Sequence, residues 1–300
     1  MINKEKNFVS LIFYLRNAET YIEDFLNQIL GVIDDNFVHY EIVCVNNAST
    51  DHSVNIVKNT IKKFKEEKII LNIIHLSECL SFEEAISIGI DFSIGDFIFE
   101  FDVPFIDYPN ELIMDAYHKI LSDIDIVSIS PNKKITLFQK GYYALYNFGV
   151  NDRKKIRPER LRIISRRAIN RVSEVNNYFT LSAPVYKNCG LDTYTISYMP
   201  AKTYVKYDND EFRERFMKGI ESILVYTNSL QKAFIYISFL FLLVSVSYVF
   251  FSKVYVSMFF FLISIILFIS AIIFQYMSII LNSSYKKRIE LIKSIEKVVN

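Results

Sequence analysis

The sequence predicts an α/β fold: a mostly parallel sheet with helices packed against it, followed by two apolar segments that form a membrane-spanning helical hairpin. Three observations lead there. Short, β-branched apolar runs alternate with stretches whose apolar residues recur every three or four positions. The carboxyl ends of those runs turn abruptly polar or acidic. Beyond residue 230 charge almost disappears up to Leu281.

The elements follow in order. "FVSLIFYL" (8–15) reads as a first strand, and Tyr21, Ile22, Phe25, Ile29 and Ile33 continue at helical spacing. "YEIVCV" (40–45) is a second strand, followed by a helix carrying Val54, Val57, Ile61 and Phe64. "IILNIIHL" (69–76) gives a third strand, "EEAISIGIDFSI" (83–94) a third helix and "DFIFEFD" (96–102) a fourth strand. This rhythm implies right-handed βαβ crossovers, and sheets of that kind bind ligands outside the carboxyl ends of their strands. The N-terminal "MINKEKNFVSLIFYL" lacks a small-residue cleavage site and reads as a strand rather than a signal peptide.

A chain of 300 residues, 51% of them hydrophobic, can fill a large core. The 34 basic and 33 acidic residues are interspersed and nearly cancel, which argues against a nucleic-acid partner. "KKFKEEK" (62–68) balances itself and suits a solvated helix end. Cys44, Cys79 and Cys189 lie far apart, as reduced and mostly buried thiols would. His39, His52, His75 and His118 show no metal-binding spacing.

Ala233–Phe251 and Val254–Leu281 contain no charged residue, and each is long enough to span a bilayer. Only "SK" (252–253) separates them, so both outer ends must lie on one side. Lys232 before the pair and Lys286-Lys287-Arg288 after it place the 230-residue head in the cytoplasm, on the inner membrane. The expected division is a head over 1–229, a two-helix segment over 230–283 and a basic cytoplasmic tail over 284–300.

The strand ends to inspect are "YLRNAE" (14–19), "NNASTD" (46–51) and "EFDVPF" (100–105). Neither G-x-G-x-x-G nor G-x-x-x-x-G-K-[ST] follows the first strand, which counts against a dinucleotide dehydrogenase and a P-loop nucleotidase. A carboxylate at a strand end can hold Mg²⁺ or Mn²⁺ against a diphosphate, because these hard cations take oxygen ligands and retain substrate oxygens in their shell. Asp102 stands in that place, with Glu100 one pleat away on the same face. The alternative is that both are ordinary solvent-facing acids before a proline turn. Asp51 could equally cap the helix that follows it.

The ordered pieces resemble glycosyltransferase family 2, whose GT-A fold binds nucleotide sugars. "VSLIFYLRNAETYI" (9–22), "EIVCVNNASTDHS" (41–53), "GDFIFEFD" (95–102) and "PNELI" (109–113) are similar to its successive strand and loop segments. "LRIISRRAI" (161–169) and "KGIESI" (218–223), ahead of a paired membrane hairpin, resemble the branch of dolichyl-phosphate mannose synthase and bacterial polyprenyl-phosphate glycosyltransferases. The family's Asp-x-Asp appears here as Asp102-Val103-Pro104, and its acidic base-contacting position as Asn46 and Asn47.

That resemblance implies an inverting transferase. The donor nucleotide sugar would contact Tyr14, Arg16, Asn17, Glu19, Asn46, Asn47, Asp51 and Glu100, with a divalent cation (Mg²⁺ or Mn²⁺) on Asp102, the catalytic and metal residue. Arg16 could pair with phosphate oxygens or stack on a base. A polyprenyl phosphate acceptor is already anionic and needs no general base, so positioning and charge stabilisation would suffice. The basic stretch "RKKIRPERLRIISRR" (153–167) would serve it, with Arg162 and Arg166 contacting the acceptor phosphate, or it could rest on anionic lipid head groups. A hydroxyl acceptor on a lipid-linked glycan would instead require a base, with Asp107 or Asp102 the candidates. A non-catalytic GT-A scaffold in a glycan-assembly complex is the contrasting class, and self-association is left open.

Overall fold

A computed structural model describes residues 4–64, 69–132, 137–148, 155–175, 186–187, 189–200, 229–250, 254–283 and 292–298. Residues 153–154, the segment 218–223 and the cluster Lys286-Lys287-Arg288 lie outside them. The chain divides into two compact units: residues 1–134, 157–214 and 286–300 form one, and residues 135–156 and 215–285 the other.

The first unit is built on an eight-stranded mixed sheet of order β7-β5-β6-β4-β1-β2-β3-β8. Strands β1 (Val9–Leu15), β2 (Tyr40–Asn46), β3 (Ile70–Leu76) and β4 (Phe97–Phe101) lie within one residue of the four expected runs at most of their ends. They pair in parallel, β1 between β2 and β4. Helices α1 (Ile22–Asn36), α2 (Ser53–Lys63) and α3 (Phe82–Phe92) connect them. The chain runs outward from β1 through β2 to β3, then returns to place β4 on the other side of β1. That reversal makes the carboxyl ends of β1 and β4 a topological switch point, the place where open sheets of this kind leave a crevice for ligands.

Beyond α4 (Glu111–Ile120), the sheet continues with β5 (Ile126–Pro131), β6 (Leu161–Ser165) and β7 (Thr193–Tyr198). Strand β6 runs antiparallel to both β4 and β5, while β5 and β7 are parallel. Helix α6 (Arg166–Val175) starts where β6 stops.

Both faces of the central strands are covered, which is why β1 and β2 are buried along their whole length and read as continuous apolar runs. On one face Phe25 of α1 meets Phe13 and Phe101 edge-on, at 5.4 and 5.1 Å between ring centres. Phe37 and Tyr117 extend that layer over Phe97 and Phe99. On the other face α3 lies so close that a Cβ on Gly89 would stand 2.8 Å from side-chain carbons of Ile12 and Val45. Ser81 caps α3 in a reciprocal capping box with Glu84.

The amino ends of the strands are stapled by buried polar groups. Ser10 Oγ donates to Glu41 Oε1 at 2.6 Å and accepts from Gly95 N at 2.8 Å. Arg166 donates from Nε and Nη2 to Gly95 O, at 2.9 and 2.7 Å. A Cβ on Gly95 would stand 2.6 Å from the backbone nitrogen of Ser10, which cannot move without breaking the β1–β4 register. Gly95→Ala is expected to cost about 2–3 kcal/mol, as an overpacked core does; a denaturation midpoint equal to that of the parent chain would refute the close approach.

The second unit contains α5 (Leu137–Asn147), α7 (Ser229–Phe250) and α8 (Val254–Ser283). Two stretches within it are long and apolar enough to cross a membrane, Gln231–Val249 and Val254–Met277. They match the expected hairpin, and a ladder of small polar residues joins them. Ser238 Oγ donates to Ser264 O at 3.0 Å, Ser264 Oγ returns a bond to Ser238 O at 3.0 Å, and Ser245 Oγ donates to Ser257 O at 2.9 Å. Small residues let two apolar helices approach where no hydrophobic force drives them together.

Two features depart from the expected division. Residues 135–156 group with the apolar helices rather than with the sheet. Residues 292–298, expected within a basic tail, form strand β8 (Ile292–Val298), antiparallel to β3.

Candidate active site

The first two strand-end loops are tied to each other before any ligand is considered. Asn17 adopts a left-handed backbone (φ 47), which directs its Oδ1 to accept from Thr50 N at 2.9 Å. Ala18 N donates to Ser53 Oγ at 2.7 Å, Glu19 N to Asp51 Oδ2 at 3.1 Å, and His52 N to Glu19 Oε2 at 3.1 Å. Asp51 also accepts from Ser53 N and Ser53 Oγ. Partial burial pushes its pKa up, but the bonds from Ser53 and Glu19 outweigh that and hold it below the usual carboxylate range. Asn17, Glu19 and Asp51 are thus the frame of the crevice wall.

Asn46 and Asn47 divide the same way. Asn46 Oδ1 accepts from Ser49 N at 3.2 Å and its Nδ2 faces His75 Nδ1 at 2.9 Å. Asn47 is fully buried: Nδ2 donates to Tyr14 Oη at 2.9 Å and to Leu80 O at 2.7 Å, and Oδ1 accepts from Leu80 N at 2.8 Å. The expectation that Asn47 reads a nucleotide base therefore fails, since its amide is consumed in fastening residues 79–80 to the end of β1. Tyr14 is buried with it. Arg16 donates to the sulfur of Cys79, which is exposed at this wall rather than buried.

The acidic pair at the end of β4 separates. Glu100 lies opposite Arg162 in the β4–β6 register, and both are buried. Arg162 Nη1 donates to Glu100 Oε1 at 2.7 Å, while its Nε and Nη2 donate to Glu159. The guanidinium also covers the ring of Tyr186, 4.9 Å from its centre. Burial raises the pKa of Glu100 against the pull of Arg162. Glu100 is consequently not available as a second cation ligand, and Arg162 does not face an acceptor phosphate. Arg166 is corrected too: it sits beside Ser93 and Gly95, at the end of the sheet opposite the crevice.

Asp102 behaves otherwise. Its side chain keeps 29% of its surface exposed and lies 3.7 Å from Arg160 Nη1. Arg160 Nε is 3.5 Å from Asp107 Oδ2, and Asp107 is 3% exposed. Tyr198 Oη donates to the other oxygen of Asp107. Asp107, a candidate base for a hydroxyl acceptor, is thereby enclosed in a structural chain Tyr198–Asp107–Arg160. At the end of β4 Asp102 presents a partly exposed carboxylate, and no cluster of three or more His, Cys, Asp or Glu side chains suited to an ion occurs among the described residues. Mg²⁺ and Mn²⁺ are bound elsewhere by one or two carboxylates with substrate phosphates completing the shell. Asp102 fits such an ion only when a diphosphate supplies further oxygens.

A family model described as glycosyl transferase family 2 matches residues 10–172, from β1 into α6. The chain belongs to glycosyl transferase family 2. Its sheet order, switch point and strand-end loops form a GT-A-like fold, also seen in solved structures. The glucosyl-3-phosphoglycerate synthase of Mycobacterium tuberculosis, crystallised with uridine diphosphate, aligns over 73% of this chain and 79% of its own, with a TM-score of 0.52 and 12% identity. The same enzyme crystallised with Mn²⁺, uridine diphosphate and glucosyl-3-phosphoglycerate aligns with a TM-score of 0.53 and 14% identity over the same shares. At that identity the likeness is one of fold. An uncharacterized glycosyltransferase of Synechocystis is 31% identical over 119 residues, 40% of this chain. The match spans 36% of that relative's length.

Sequence reasoning missed Arg160. It is one of five arginines between 157 and 167, and its proximity to Asp102 and Asp107 depends on the antiparallel return of β6 beside β4.

Proposed function

We propose that this protein is a membrane-anchored, inverting glycosyltransferase that moves a sugar from a nucleotide-sugar donor to a polyprenyl phosphate at the cytoplasmic leaflet of the inner membrane. The donor lies across the carboxyl ends of β1, β2 and β4, and the observation that carries this reading is the partly exposed carboxylate of Asp102 at the switch point of a family 2 sheet. The framed loops 16–19 and 46–51 hold the nucleotide, with Arg16 at their rim. Asp102 holds a divalent ion with the diphosphate, and that ion supplies charge neutralisation to the departing nucleotide.

The acceptor reading rests on the hairpin. Two membrane-length helices follow the family domain, and the chain then rejoins the sheet it left, at β8. Both outer ends of the hairpin therefore belong on one face of the bilayer. An already ionised phosphate needs no base, which agrees with Asp107 being enclosed. Since Arg162 and Arg166 are engaged elsewhere, the acceptor's negative charge falls to exposed cations of the same stretch, such as Arg157.

The test uses the full chain in detergent with Mn²⁺, radiolabelled uridine and guanosine diphosphate sugars, and a short polyprenyl phosphate. Label should pass into the organic phase with at least one donor, and should not do so with the matching polyprenol. Absence of transfer and of nucleotide binding with every donor would leave the non-catalytic scaffold. Transfer to soluble phosphoglycerate in preference to the lipid would overturn the acceptor.

A further inference from the structure

Helix α5 lies between β5 and β6 in sequence, yet it packs against α7, the first of the two membrane-length helices. With 11 residues it is about 16 Å long, far too short to cross a hydrocarbon layer. A helix held against a span without itself spanning lies either along the bilayer surface or in water. The chemistry of its outward face distinguishes the two.

The inward side is aromatic. Tyr146 is fully buried, and Tyr142 stands 6.3 Å from it and 5.1 Å from Tyr143 between ring centres. Outward, Gly141, Ala144 and Phe148 follow at spacings of three and four, the repeat of a single helix face. All three are exposed, and Phe148 keeps 47% of its surface open. A face turned to water would carry charge, but Lys140, at its edge, is the only charged residue of the helix.

The cations stand around that face. Asn147 Nδ2 donates to Ile156 O at 3.2 Å and its Oδ1 accepts from Ile156 N at 3.0 Å, so the chain that leaves at Phe148 returns at Lys155. In sequence, residues 133–157 carry seven lysines and arginines against one acid, Asp152. An apolar face with amphipathic tyrosines, bordered by cations, matches the boundary between anionic head groups and acyl chains. It is also continuous with helices whose own exposed surface is apolar.

We infer that α5 is an interfacial helix, lying in the head-group layer of the bilayer that the hairpin crosses, with Phe148 inserted beneath the head groups and the flanking lysines and arginines paired to anionic lipid phosphates. The inference rests on the proposed membrane anchor, and the experiment reads the two separately.

The chain contains no tryptophan, so a single introduced indole reports its own surroundings. Phe148→Trp and Ala144→Trp probe the face of α5, and Ile266→Trp probes the middle of the second span. Each full-length variant is reconstituted in vesicles of equal parts phosphatidylcholine and phosphatidylglycerol, with bromine carried either near the head group or near the chain end. Circular dichroism checks that each variant is folded. Phe148→Trp and Ala144→Trp should be quenched by the shallow bromine about twofold or more above the deep one, as side chains roughly 5–10 Å into the boundary would be. Ile266→Trp should show the reverse order. Replacing phosphatidylglycerol by phosphatidylcholine should lower the quenching of Phe148→Trp and leave that of Ile266→Trp unchanged. Quenching of Ile266→Trp with water-like emission from both α5 variants would overturn the inference and leave the anchor intact. Blue-shifted emission from Phe148→Trp that neither bromine quenches would overturn it as well, since protein rather than lipid would then cover the face. No quenching in any of the three variants would reject the membrane anchor itself.

Discussion

Arg162→Ala is expected to destabilise the first unit by about 3–5 kcal/mol, because it strands buried Glu100 without its partner. Glu159 loses its donors in the same step, and the Tyr186 ring loses the cation above it. Thermal or chemical denaturation followed by circular dichroism measures this directly. The single change Glu100→Gln should cost less, since it removes the buried charge along with the ion pair. Replacing Glu100, Glu159 and Arg162 together with apolar residues of similar volume should restore much of the loss, as buried ion networks exchanged for hydrophobic contacts commonly do. An Arg162→Ala chain as stable as the parent, but defective only toward a lipid phosphate, would return this arginine to the acceptor.

Asp102→Asn should produce the opposite pattern. Its carboxylate is partly exposed and its ion pair is long, so stability should change by no more than about 1 kcal/mol. Transfer should fall by about a hundredfold or more, the scale seen when a group that stabilises transition-state charge is removed. Nucleotide binding in the presence of Mn²⁺ should weaken together with transfer. Measuring melting temperature and transfer on one preparation separates the two effects. Undiminished transfer would remove Asp102 from the chemistry and with it the assignment of the crevice.

These two side chains show how far a sequence can be read. β1 to β4 were legible because strands buried on both faces become uninterrupted apolar runs, and their order followed from the helices between them. Asp102 was legible as a polar end to such a run. Glu100, two residues earlier, carried the same signal with a different outcome, because what it meets is set by the β4–β6 register across more than sixty residues of chain. Arg162 and Arg166 illustrate that dependence again: four residues apart, one lies deep beside β4 and the other at the far end of the sheet. Asn47 looked like a ligand contact because amides suit both tasks; only the position of Leu80 decides between them. Strand β8 was hidden by its own lysines and by the hairpin that precedes it.

Strand β8 also bears on how such a protein is prepared. The customary soluble fragment of an anchored enzyme is made by cutting ahead of the first hydrophobic helix, which here would discard the last rung of the sheet. The row of amides and carbonyls uncovered along β3 would then be open to any extended peptide nearby, and clumping of the truncated product is the expected result. A fragment in which a short polar linker replaces residues 229–285 and the terminal strand is kept should stay dispersed where the simple truncation does not.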